Sequence, residues 1–144
     1  MGDRVLVVDD EREIRDLLGN FLEDEGYEVI FSSNGEEAID LAKRDNPQVI
    51  LLDAKMPGIG GIETCKRLKS AKETAFIPII MITGYADRKT DAIEAGVDDF
   101  LYKPFSATDL SIRVKSILRM RYLTNELERV TVYIEELEKN RPQV

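Results

Sequence analysis

The sequence predicts an α/β fold: a doubly wound parallel sheet of five strands in the order 2-1-3-4-5, with an extended C-terminal helix. Short apolar runs alternate with amphipathic helical patterns, which calls for parallel strands joined by crossover helices rather than hairpins. Four runs end one step before a reactive side chain: Val5 to Val8 before Asp9-Asp10, Val49 to Leu52 before Asp53, Ile79 to Ile82 before Thr83, Phe100 to Tyr102 before Lys103. The remaining run ends in Ser32-Ser33 and adds nothing to that set. In the order 2-1-3-4-5 the second strand lies at an edge. The first and third are neighbours at the topological switch point, where ligands bind beyond the strand ends.

Each element has its own signal. Ile14, Leu17, Leu18, Phe21 and Leu22 share a face of a first helix over roughly Glu11 to Glu25, and Gly26 is placed to end it in a left-handed cap. Glu28 to Phe31 reads as the second strand. Ser33 or Asn34 can cap a helix carrying Ala38, Ile39, Leu41 and Ala42, which stops ahead of Asn46-Pro47 because proline disfavours helical geometry in the residue before it. Pro57 to Gly61 is a turn, followed by Ile62, Cys65, Leu68 and Lys69 at helical spacing. Pro78 opens the fourth strand, where its missing N–H is tolerated. A fourth helix spans about Asp87 to Ala95 and ends at Gly96. Ser106 or Thr108 caps a last helix that runs, without glycine or proline, to about Asn140.

Composition narrows the function. The 144 residues are 43% hydrophobic and 33% charged, enough for one domain with a real core. The single cysteine, Cys65, cannot pair within the chain, and it reads as a packing residue. Nothing approaches the roughly 18 apolar residues of a membrane span or the start of a secretory signal, so a cytoplasmic location is expected. A net charge of −8 argues against binding nucleic acid or anionic lipid through phosphate neutralisation. Histidine is absent, which removes Ser-His and Cys-His nucleophile pairs and imidazole zinc sites.

Three carboxylates facing an ammonium and a hydroxyl suit a hard divalent cation and a transferring phosphoryl group. Magnesium, or manganese, takes oxygen ligands and only one or two protein carboxylates directly. Asp10 and Asp53 are the expected direct ligands, with Asp9 acting directly or through water and the Lys55 carbonyl completing the protein side. Asp53 is the expected nucleophile, forming an acyl phosphate. Lys103 would pair with one phosphoryl oxygen while Thr83 Oγ donates to another. Taken singly these residues have ordinary readings: Asp9-Asp10 as a helix cap, Thr83 as a turn residue, Lys103 as a surface lysine. Their joint placement is what points to chemistry.

The Asp9-Asp10 pair, Asp53 within Leu-Leu-Asp-Ala-Lys-Met-Pro-Gly, Thr83-Gly84 and Lys103-Pro104 resemble, in order and spacing, the receiver domain of two-component response regulators. The resemblance covers residues 4 to about 118 and implies a flavodoxin-like fold. It further implies an aspartyl phosphate at Asp53, donated by a sensor histidine kinase or phosphotransfer protein with magnesium, and a cis Lys103-Pro104 peptide. The family's switch would use Thr83 and Phe100, with Phe100 turning inward as Thr83 moves toward the phosphoryl group. Lys55 and Tyr85 would flank the path of the hydrolytic water. Such a domain is a phosphoacceptor switch that assists its own phosphorylation and dephosphorylation, and not an enzyme with a separate substrate.

Two rival readings fit the sequence less well. A haloacid-dehalogenase-like phosphatase also uses an aspartyl phosphate and magnesium, but it needs Asp-x-Asp-x-Thr after its first strand, where this chain has Asp9-Asp10-Glu11-Arg12-Glu13. A pseudo-receiver serving as a dimerising scaffold would not need the intact acceptor set. The expected division is a receiver over 1–118 and a helical extension over 119–144. In the extension Met120, Leu123, Leu127, Val130, Ile134 and Leu137 recur at a/d spacing over about two and a half heptads. From Ser106 onward the charge is +1 against −9 before it. The extension is expected to make a homodimer or to link to an output domain such as a cyclic-dinucleotide enzyme, the chain then being the front of a longer protein. An apolar stripe packing on such a domain is the plainer alternative.

Overall fold

A computed structural model describes residues 2–84 and 89–140. Ten elements alternate in chain order: β1 (Arg4–Val8), α1 (Arg12–Asp24), β2 (Glu28–Ser32), α2 (Gly35–Asp45), β3 (Val49–Asp53), α3 (Gly60–Ser70), β4 (Ile79–Thr83), α4 (Lys89–Ala95), β5 (Asp99–Tyr102) and α5 (Ala107–Lys139). The strands form one parallel sheet in the order β2-β1-β3-β4-β5. Register aligns Val8 with Leu52 and Thr83 with Tyr102, so the residues that follow each strand emerge along one edge.

Alternation along the strands builds two cores. Leu6, Val8, Ile50, Leu52, Ile79 and Met81 face Ala38, Ala42, Ile62, Cys65, Leu68 and Ala92 from α2, α3 and α4. Val5, Val7, Val49, Leu51, Ile80 and Ile82 face Leu18 and Leu22 of α1 and Leu110, Val114 and Ile117 of α5. Apolar residues thus occupy consecutive positions because both sheet faces are covered.

Boundaries follow local chemistry. α1 begins at Arg12, one residue later than expected, because the Glu11 N–H donates to Asp9 Oδ1 at 2.8 Å and Glu11 stays extended. Leu17 lies at the edge of its helix's apolar face and is 44% exposed. Asn34 is the cap of α2, accepting from the Glu37 N–H, and Asn46 closes the helix with φ of 47°. The described part of α4 begins at Lys89. The expected start at Asp87 lies outside the described residues. β5 begins at Asp99, whose carboxylate accepts from Arg113.

α5 opens on a capping box between Ser106 and Asp109 and runs unbroken for 33 residues, about 50 Å. It passes position 118 without interruption. Beyond Leu118, Arg121 Nη1 still donates to the Gln48 carbonyl at 2.7 Å, and its guanidinium lies 5.5 Å from the Phe76 ring centroid. No helix among the described residues is long and apolar enough to cross a membrane.

Candidate functional site

The C-terminal edge of β1, β3, β4 and β5 gathers the predicted residues. Asp53, the last residue of β3, has a side chain only 6% exposed, and its Oδ1 lies 3.3 Å from Lys103 Nζ. The Lys55 N–H also donates to the Asp53 carboxylate. Asp9 is buried and Asp10 exposed, and each of Asp9, Asp10 and Asp53 offers an oxygen within 4.8 Å of the others. Thr83 is half-buried at the end of β4, and its carbonyl accepts from the Lys103 N–H at 2.8 Å. That bond ties the hydroxyl-bearing strand end to the lysine-bearing one.

The electrostatics are those of like charges out of water. Burial is the main cause raising the Asp9 carboxyl to about 6, with the Glu11 N–H opposing it and the neighbouring Asp53 and Asp10 charges adding to it. Burial also raises Asp53, against the lowering effect of the Lys103 ammonium. Asp9 Oδ2 is buried with no hydrogen-bond partner. A buried carboxylate with an orphaned oxygen, clustered with two further carboxylates, is a donor set that a hard cation satisfies, so the residues fit magnesium.

Phe100 lies half-buried on β5, with its ring stacked on Tyr102 at a centroid distance of 5.9 Å. Lys89 Nζ sits 5.6 Å from the Phe100 centroid and 5.9 Å from that of Tyr102. Lys55 is exposed on the loop after β3, and Lys103-Pro104 is cis. Tyr85 lies outside the described residues.

Two contributors escaped the sequence reading. A Cβ on Gly61 would overlap the Asp53 carbonyl oxygen, so the start of α3 can close against the end of β3 only as glycine. The third glycine in Gly58-Ile59-Gly60-Gly61 was the available signal. The other is Arg15, whose Nη1 donates to the Asp9 carbonyl at 2.7 Å. Its position one turn into an amphipathic helix gave no sign of this.

The profile of the response regulator receiver domain matches residues 5–115. The alkaline phosphatase synthesis transcriptional regulatory protein PhoP of Bacillus subtilis is 44% identical over 121 residues, covering 83% of this chain and 50% of PhoP. The chain thus spans about half the length of the curated relatives it matches. A crystal structure of a putative response regulator from Chloroflexus aurantiacus superposes with a TM-score of 0.79 at 36% identity, covering 83% of this chain and 99% of that one. The receiver domain of a sensor histidine kinase from Pseudomonas aeruginosa, with magnesium coordinated in its active-site cleft, superposes with a TM-score of 0.78 at 25% identity, covering 82% and 98%. This chain belongs to the response regulator receiver domain family.

Proposed function

We propose that this receiver accepts a phosphoryl group on Asp53 from the phosphohistidine of a sensor kinase or phosphotransfer protein, and that its switch controls self-association through α5. The observation that carries the first half is the buried Asp53 carboxylate, 3.3 Å from Lys103 and sharing a 4.8 Å cluster with Asp9 and Asp10. An Asp53 oxygen attacks phosphorus and the O–P bond forms as the donor's N–P bond breaks. The imidazole nitrogen leaves with the bonding pair. Asp9, Asp10, Asp53 and the Lys55 carbonyl would hold magnesium, which supplies positive charge to the phosphoryl oxygens. Lys103 exchanges its Asp53 contact for a phosphoryl oxygen, and Thr83 Oγ donates to another.

The switch would be a shift between two arrangements of Thr83 and Phe100. Phe100, now stacked on Tyr102, turns inward as Thr83 moves. We take the receiver to end near residue 118 and the remainder to be the helical extension. Support for a second copy as its partner comes from α5. Leu123, Leu127, Val130, Ile134 and Leu137 are each about half exposed or more, and they continue the phase of exposed Ile112 rather than that of buried Leu110, Val114 and Ile117. The apolar stripe therefore faces away from the sheet and is open to another helix.

Intact mass after incubation with acetyl phosphate and magnesium tests the acceptor. One phosphoryl group is expected on the wild type, none on Asp53→Asn and none in EDTA. An unlabelled wild type, under conditions that label another receiver, would leave the chain as a dimerising scaffold. Sedimentation with and without the phosphoryl group tests the switch, and equal dimer affinity in both states would refute it.

A further inference from the structure

We infer that Arg15 is a positioning residue for the cation site, holding the Asp9–Asp10 peptide so that the Asp10 carboxylate reaches the cluster. The inference rests on the reading of Asp9, Asp10 and Asp53 as a magnesium site, and assigns a role there to a residue on a different element. Three bonds shape the turn that carries the acidic pair. The Asp9 N–H donates to the Ser32 carbonyl at 3.1 Å, the Glu11 N–H donates to Asp9 Oδ1 at 2.8 Å, and Arg15 Nη1 donates to the Asp9 carbonyl at 2.7 Å. Only the third is made by a side chain from outside the turn.

The Asp9 carbonyl belongs to the peptide plane that leads into Asp10. Rotation of that plane swings the exposed Asp10 side chain, while Asp9 stays locked in β1's continuation by Ser32. The Glu11 bond consumes Oδ1 of Asp9 and leaves Oδ2 buried and unpartnered. Arg15 is half-buried, and the Arg15 N–H also donates to the Glu11 carbonyl at 3.1 Å, so the anchor is rooted in the first turn of α1. A charge-assisted bond to a carbonyl is stronger than a neutral one and restrains the plane accordingly. Partners that orient metal ligands without touching the metal typically matter tenfold or more in affinity.

The sign of the effect separates positioning from bulk electrostatics. Removing a cation beside three carboxylates should tighten magnesium binding if charge alone matters. Removing an anchor should weaken it.

The test is a Mg2+ titration of the full chain by calorimetry, with amide NMR shifts of Asp10 and Asp53 as a second readout and thermal unfolding in EDTA as the control for folding. Arg15→Ala is expected to weaken Mg2+ binding roughly tenfold, with the unfolding midpoint in EDTA little changed. Arg15→Lys, which keeps a donor and the charge, should fall between it and wild type. Arg12→Ala, which removes an exposed cation one turn earlier on the same helix, should bind as wild type does. Equal or tighter binding by Arg15→Ala overturns the inference, as does the same weakening in Arg12→Ala. Should Arg15→Ala not fold, an Arg15→Lys variant indistinguishable from wild type overturns it. A wild type that binds no Mg2+ fails the magnesium reading itself and this inference with it.

Discussion

The two ends of the sheet are built on opposite terms. At the C-terminal ends of the strands, Asp9, Asp10 and Asp53 crowd within 4.8 Å, with one oxygen of Asp9 left without a partner. At the N-terminal ends hydrogen bonds and an ion pair stitch unlike groups together, although Arg4 Nε, 3.3 Å from Glu28 Oε1, is buried without a hydrogen-bond partner. Arg4 Nη1 donates to the Asp45 carbonyl at 2.6 Å, the Arg4 guanidinium pairs with Glu28 through Nε, and the Arg4 backbone N–H donates to Gln48 Oε1. Arg121 Nη1 donates to the Gln48 carbonyl. The same two strands, β1 and β3, run between these ends. Tension at the reactive end is sustained by five consecutive buried positions on β3 and by the hydrogen bonds and ion pair where the chain enters the strands.

The tail leaves from the stitched end, and the largest expected effect concerns it. Replacing Leu127 and Ile134 together by glutamate should abolish self-association, measured by sedimentation, and leave phosphoryl uptake at Asp53 intact. Loss of both would mean that the two ends are not separable, and the comparison would break.

Next comes the charge tension at the reactive end. Asp9 is raised to about 6 from an ordinary 3.8, so the folded chain holds the proton more tightly than the unfolded one. Its contribution to stability is therefore greatest below about pH 4, falls as pH rises through 4 to 6, and stays low above that. Asp9→Asn should remove this dependence and, in EDTA at pH 7, stabilise the chain by about 1–3 kcal/mol. Urea unfolding at pH 4, 5, 6 and 7 checks it. A variant whose difference from wild type stays constant across the window would count against the assigned tension. Magnesium at pH 7 should recover stability in wild type more than in the variant.

At the opposite end, Arg121→Ala should cost about 1–3 kcal/mol by leaving the Gln48 carbonyl without that donor. Amide exchange should quicken first between 119 and 126. Unchanged exchange there would show that the helix leaves the domain without this fastening. The smallest effect is expected from Phe76→Leu, about 0.5–1 kcal/mol, because the ring is exposed and contributes mainly its face to the Arg121 guanidinium.

How much of this was legible beforehand differs between fold and site. The strand order was readable because Ser32-Ser33 broke the pattern of reactive run-ends, and a doubly wound sheet places its odd strand at an edge. The cluster of Asp9, Asp10, Asp53 and Lys103 was readable because a parallel sheet aligns all its strand ends, so position after an apolar run stands in for position in space. Cap identity was narrowed to two residues in each case, and geometry selected Asn34 and Ser106.

Local order and spacing, then, determined the fold class, the strand order and the Asp9, Asp10, Asp53, Thr83 and Lys103 set, because periodicity of burial and the turn chemistry of single residues are written along the chain. Only the tertiary structure decided which oxygen of Asp9 is left unpartnered, that Arg15 grips the Asp9 carbonyl, that Gly61 must be bare against Asp53, and that Arg121 fastens the tail to the loop before β3. Those are contacts with a backbone group made within a turn or across elements, and their geometry is set in three dimensions. They depend on where two separately predictable pieces meet, and no period along the chain records that meeting.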